Sequence, residues 1–166
     1  MNQEEGILDE VENAARNNLA EKRTLACSQA VNLALQEKIL GGEINSELVK
    51  ALAPFAGGTR LNSLCGALVG GIIGIGMKHG VDLENMSRLE SLTSSYKPAQ
   101  EFYEFFEEDN ESLNCYDIIG YDLRDDEQRE EWLDRDGWND CADRCGRAAR
   151  KAAKLIIKWD DLKGGE

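Results

Sequence analysis

Only one histidine occurs in the chain, His79, and it stands between Lys78 and Gly80 at what reads as a helix end. A Ser-His-Asp arrangement has little to work with here, so His79 is expected at the surface or as a cap rather than as a ligand. No C-x-x-C pair occurs, which removes the zinc-ribbon, thioredoxin and c-type haem signatures. Long apolar runs are missing too: the longest, Leu64 to Met77, falls short of the roughly 20 residues that a membrane span needs. Basic residues are scarce, 19 against 32 acidic, for a net charge of -13. Such a surface repels polyanions, so nucleic acid and anionic membranes are poor partners. The opening stretch, MNQEEGILDEVENAARNN, has no basic segment followed by an apolar core. No secretory signal is therefore expected, and the expected location is the cytoplasm. In a reducing compartment, five cysteines point to metal binding, catalysis or plain burial rather than structural disulfides.

What is present is helical spacing. Leu25, Ala26, Gln29, Ala30, Leu33 and Ala34 recur at intervals of three and four, and no segment alternates as a strand would. The expected fold class is all-α, a compact multi-helix bundle around a glycine-rich central helix. One domain over 1–166 is expected, with 1–23 a peripheral acidic helix and 24–160 a cysteine-containing core. Thr24 is a candidate N-cap for a helix to Leu40, stopped by Gly41 and Gly42. Asn45 or Ser46 caps a short helix that Pro54 ends. The glycine-rich helix is expected from Leu61 to about His79, with Gly80 as a left-handed cap. Val81 to Ser95 reads as another helix, and Pro98 either starts a new one at its first turn or kinks a longer one. Phe102, Tyr103, Phe105 and Phe106 form an aromatic stripe suited to core packing. NCYDIIGYDL reads as a helical turn ending at Gly120, Asp122 to Asp140 as a solvated acidic segment, and Trp138 to Trp159 as the last helix.

Two features stand out against this background. Five of the fourteen residues from Leu64 to Met77 are glycine, although each costs about 1 kcal/mol against alanine inside a helix. Gly66, Gly70 and Gly74 recur every four residues, a smooth stripe onto which a neighbouring backbone or a bulky inorganic group can close around Cys65. The second feature is the cysteines themselves, Cys27, Cys65, Cys115, Cys141 and Cys145, too scattered for a local motif. Any shared site must be assembled by the fold from separate helices. Cys141 and Cys145 stand at i and i+4, on one helix face. Their Cα atoms are about 6 Å apart by helix geometry, so a shared soft metal or cluster suits them better than a strained intrahelical disulfide.

Taken in order, ACSQAVNLAL, FAGG, LCGALVGGIIGIGMKHG, ESLNCYDIIGYDL and RCGRAARKAAKLI resemble the C_GCAxxG_C_C family of redox-active proteins over roughly residues 24 to 158. The four cysteines of that family name fall on Cys27, Cys65, Cys115 and one of Cys141 or Cys145, with Cys145 the better match because the small-apolar helix follows it directly. The central motif here is Cys65-Gly66-Ala67-Leu68-Val69-Gly70, preceded by Leu64. A similar domain accompanies haems in split-Soret cytochromes, where it is linked to an iron–sulfur centre, but this chain lacks the C-x-x-C-H needed for covalent haem.

The resemblance implies a redox role carried by cysteines. Four thiolates suffice for a 2Fe–2S or 4Fe–4S cluster, so the leading expectation is electron transfer or redox sensing through an iron–sulfur cluster at Cys27, Cys65, Cys115 and Cys145, with Cys141 near or substituting. Thiol–disulfide exchange is the alternative from the enzyme class, with Cys141, one turn before Arg144, the best-placed nucleophile. A zinc or copper(I) module is the third, since soft sulfur ligands accept those ions. The expected partner is a redox protein, which the acidic surface would steer if basic, and the glycine face also offers room for a second copy of the chain.

Overall fold

The helical periodicity is realised in eight α-helices in a computed structural model that describes residues 3–22, 25–81, 84 and 88–164. They are α1 (Gln3–Ala20), α2 (Cys27–Lys38), α3 (Ser46–Ala51), α4 (Gly66–His79), α5 (Arg88–Asn110), α6 (Cys115–Ile119), α7 (Asp126–Asp134) and α8 (Gly137–Gly164). No strand forms among the described residues; a lone antiparallel bridge joins Leu64 to Asn114. The fold class is all-α, as the spacing implied. None of the described helices is long and apolar enough to cross a membrane.

α2 runs through the middle, touching α1, α4 and α8. Its core face is broader than the apolar spacing suggests, because Ser28, Asn32 and Gln36 are completely buried while Leu33 is only half so. Each buried polar group has a partner, as burial demands. Ser28 Oγ donates to the Leu52 carbonyl at 2.8 Å, Gln36 Nε2 to Asn32 Oδ1 at 2.8 Å, and Asn32 Nδ2 to the Gly70 carbonyl at 3.4 Å. The last bond crosses to α4 and explains its glycines. A Cβ on Gly70 would lie 2.5 Å from the Ser28 carbonyl oxygen, and one on Gly74 would run into Leu35. Gly71 faces the opposite way and leaves room for the Phe102 ring of α5. The stripe is thus clearance for α2 and for one phenyl ring.

α1 and α8 form the most extensive helix pair. Leu8, Val11, Ala15 and Leu19 of α1 are fully buried, and α8 meets its neighbours through Ala148, Ala149, Ala152 and Ala153, so helices approach closely. The acids of α1 do not all face water. Arg150 of α8 gathers Glu5 and Asp9 at 2.5 Å and Glu12 at 3.2 Å, and Arg16 pairs with Asp143 at 2.7 Å. The helix expected at the periphery is therefore a wall of the core.

Several sequence expectations are corrected. α4 begins at Gly66 rather than Leu61, because residues 57–62 form a separate left-handed turn. Gly80 is extended (φ -67°, ψ 178°), not left-handed. His79 is 1 % exposed, with Nε2 3.2 Å from the Ile156 carbonyl oxygen. Packing of α4 against α8 carries that imidazole inside instead of leaving it at the surface. Of the two alternatives for Pro98, the longer helix is the one formed, since Pro98 lies within a continuous α5. Phe102 and Phe106 are buried as the aromatic stripe implied, while Tyr103 is exposed. Thr24 and most of the segment between Val81 and Arg88 lie outside the described residues; the N-cap of α2 is Ala26, whose backbone N–H donates to Gln29 Oε1 at 2.8 Å.

Candidate functional site

The five cysteines come from four places in the chain, and the fold brings them together. Cys27 is the first residue of α2 and Cys65 the N-cap of α4. The glycine seam sets these helix starts side by side: a Cβ on Gly66 would lie 3.2 Å from the Cys27 Cβ. Cys115, at the start of α6, is tied to Cys65 through the backbone. The Cys65 N–H donates to the Leu113 carbonyl at 2.8 Å and the Cys115 N–H to the Ser63 carbonyl at 2.7 Å. Cys141 and Cys145 approach from α8, one helical turn apart, and the Cys145 thiol points at the Cys27 carbonyl oxygen, 3.8 Å away. All five are free thiols, and only Cys27 keeps partial exposure.

Electrostatics favours the protonated state. The Cys65 thiol is pushed from 9.0 up to about 12 by burial and by its neighbour Cys115. Cys115 goes up to about 11, through burial and then Cys141. A hydrogen bond with Cys27, then burial, raises Cys141 well above the ordinary range. The bond with Cys141 lowers Cys27, but its bond with Cys145 and its burial outweigh that. Cys145 is lowered most by Cys27, and burial together with the neighbouring Cys141 and Cys65 outweighs that, so the thiol is raised. The cation at hand is Arg144, whose Nη1 stands 3.6 Å from Cys141 Sγ and whose Nε donates to Asn110 Oδ1 at 2.7 Å. Its charge favours thiolates at Cys65, Cys115, Cys141 and Cys145 without overcoming burial. Cys141 is thus not the activated nucleophile that its place before Arg144 suggests. The helix starts at Cys27 and Cys65 also favour thiolate, and the desolvation of five sulfurs in one spot is the larger effect.

A cavity of about 350 Å³ opens beside the thiols, with Cys27, Cys115 and Cys141 in its wall. Its far side is built by the segment expected to be merely solvated. Trp132 is buried and packs against Trp138, ring centres 5.2 Å apart. Gly137 makes this fit, because a Cβ there would strike the Trp132 indole. The remaining lip is the turn from Gly57 to Asn62. Gly57, Gly58, Thr59, Arg60 and Asn62 all have φ between 56° and 61°, a conformation costing roughly 1–2 kcal/mol for each residue that carries a Cβ. Arg60 and Arg129 of α7 both line the cavity, and both donate to the carbonyl of Leu123, at 3.3 and 3.4 Å. The sequence signal for this wall was the pair of tryptophans inside an acidic stretch; nothing local marked the arginines.

Five sulfurs without a carboxylate among them suit a soft metal or an iron–sulfur cluster in kind and number. A single tetrahedral ion with bonds of about 2.3 Å would need its sulfurs about 3.8 Å apart. Among the described residues no three His, Cys, Asp or Glu side chains are arranged to hold one metal ion.

No curated protein and no solved structure matches the chain. A family model does, over residues 25–156, which takes in all five thiols: the chain belongs to the family described as "Putative redox-active protein (C_GCAxxG_C_C)".

Proposed function

We propose that this redox protein works by electron transfer through an iron–sulfur cluster held by Cys27, Cys65, Cys115 and Cys145, with Cys141 beside it or in place of one ligand. The observation that carries the reading is the gathering of four buried thiols and the half-buried Cys27, from four chain segments, beside one arginine. Protonated, they are a cluster of poorly solvated groups; when bound, a cluster supplies one-electron exchange without a substrate's bond being broken. The chain's own contribution is definable. α2, α4 and α8 hold Cys27, Cys65 and Cys145 on packed helices rather than loops. Arg144, fixed by Asn110, offsets negative charge on Cys141, and the two tryptophans and Leu123 give the cavity beside the thiols an apolar wall. The net charge of -13 suits a basic partner protein, and free thiols suit a reducing compartment.

Anaerobic purification followed by iron and acid-labile sulfide analysis tests the reading. Two or four irons per chain with matching sulfide, lost when Cys65 is replaced by alanine, are expected; an iron-free, colourless protein after reconstitution sinks it.

One observation favours a second reading. The Cys145 thiol points at the Cys27 carbonyl oxygen, 3.8 Å away, and Cys141 and Cys145 are the side chains that act most on the Cys27 thiol, so a reversible disulfide from Cys27 to either lies close to hand. Mass spectrometry of peptides from oxidised, metal-free protein would show that linkage. The raised thiols place this reading second, since exchange needs a thiolate.

A further inference from the structure

The strained turn and the cavity invite a common explanation. Strained backbone persists where the surroundings enforce it, and it clusters at binding and catalytic sites. Here the left-handed run sets Arg60 at the cavity mouth. Arg129 arrives from α7, and both guanidinium groups reach the same Leu123 carbonyl oxygen. Two like charges therefore stand side by side over one neutral acceptor. Of the nearby carboxylates, Asp122 pairs with Arg124 at 2.6 Å, and the largely exposed Asp126 takes only Nη2 of Arg129, at 2.7 Å, while Nη1 turns to Leu123. Among the described residues no carboxylate pairs with Arg60. In a chain with so large an acidic excess, a pair of cations at an otherwise mostly apolar cavity is a local reversal of sign.

We propose that this cavity is a binding site for a small organic anion, its flat apolar body lying against Trp132, Trp138 and Leu123 and its single carboxylate meeting Arg60 and Arg129. A volume of about 350 Å³ lies within the usual span of small-molecule sites, which combine apolar walls with a few convergent polar groups. Paired guanidinium groups are matched to a carboxylate, which accepts from both. The bound molecule would lie beside Cys27, Cys115 and Cys141. Binding follows from the cavity and the arginines, and holds whether or not the thiols carry a cluster.

Calorimetry on the full chain with 2-naphthoate and the neutral 2-naphthamide, which share one body, tests the site. The carboxylate is expected to bind one per chain, at least about tenfold tighter than the amide, a margin suited to a charge-assisted contact. Arg60→Gly retains a residue that adopts the left-handed backbone freely, and Arg129→Gln keeps the size of the side chain. Each is expected to weaken naphthoate about tenfold and leave naphthamide unchanged. Equal affinity for the two compounds, no saturable naphthoate binding at millimolar concentration, or unchanged naphthoate binding in both variants overturns the proposal. The cluster reading fails separately, on iron and sulfide content.

Discussion

The two sides of the thiol site are made of opposite materials. On one side α2, α4 and α8 meet through glycine, alanine and serine, with backbone against backbone and every buried polar group partnered. On the other, a left-handed turn, a five-residue helix and an acidic helix wall a cavity with tryptophans and arginines. The first side holds sulfurs and leaves no room; the second holds room and faces it with charge. Rigidity and access are divided between them, as the proposed electron-transfer role would need.

Glycine substitutions break this comparison most sharply. Gly70→Ala would drive a methyl into the Ser28 backbone, which cannot swing aside. A loss of about 3 kcal/mol in urea denaturation is expected, the upper end for overpacking, together with loss of whatever metal the thiols hold. Denaturation like the parent's would mean that the seam is looser than its geometry.

Next in size is the response to alkali. For the metal-free protein, stability should be flat below about pH 8.5, where unfolded thiols begin to ionise, and should fall as pH rises toward the folded values of about 11 for Cys115 and about 12 for Cys65. The folded chain keeps protons that the unfolded chain releases, so each such group costs about 1.4 kcal/mol per pH unit in that window. Cys65→Ala should make the slope shallower; denaturation curves from pH 7 to 10 that coincide for the two proteins would contradict it.

Arg144→Gln removes the cation on the thiol side. The pH at which iodoacetamide modifies the cysteines should move up by about one unit, with Cys141 affected through its 3.6 Å contact; an unmoved profile would show that solvent already screens this charge. The smallest effect is expected at Gly76, where a Cβ meets nothing within 4 Å. Gly76→Ala should raise stability by about 1 kcal/mol through helix propensity alone, and the contrast with Gly70, six residues away on the same helix, separates glycines kept for clearance from those that are not.

Much of the fold was legible because helices announce themselves locally. The cores of α1, α2, α3, α6 and α8 follow from apolar spacing, from Asn45 as a cap and from Gly120 as a left-handed stop. The start of α4 was misjudged because Leu61 has helical neighbours in sequence, whereas its true neighbours are residues of left-handed backbone. His79 was misplaced for a related reason: position at a helix end says nothing about which other helix lies above it. The acidic stretch from Asp122 to Asp140 hid a cavity wall, since charge counting overlooks two tryptophans that need only one buried face.

By itself the sequence determined the helical class, the acidic surface, the five candidate sulfurs and the family pattern that orders them, because these depend on residue type and spacing along one chain. Tertiary structure alone decided that the sulfurs meet, that their burial holds them as thiols, and that two arginines far apart in sequence share one carbonyl at the mouth of a cavity. Those outcomes rest on contacts between distant segments. Their energies come from desolvation and close approach, neither of which exists until the helices pack.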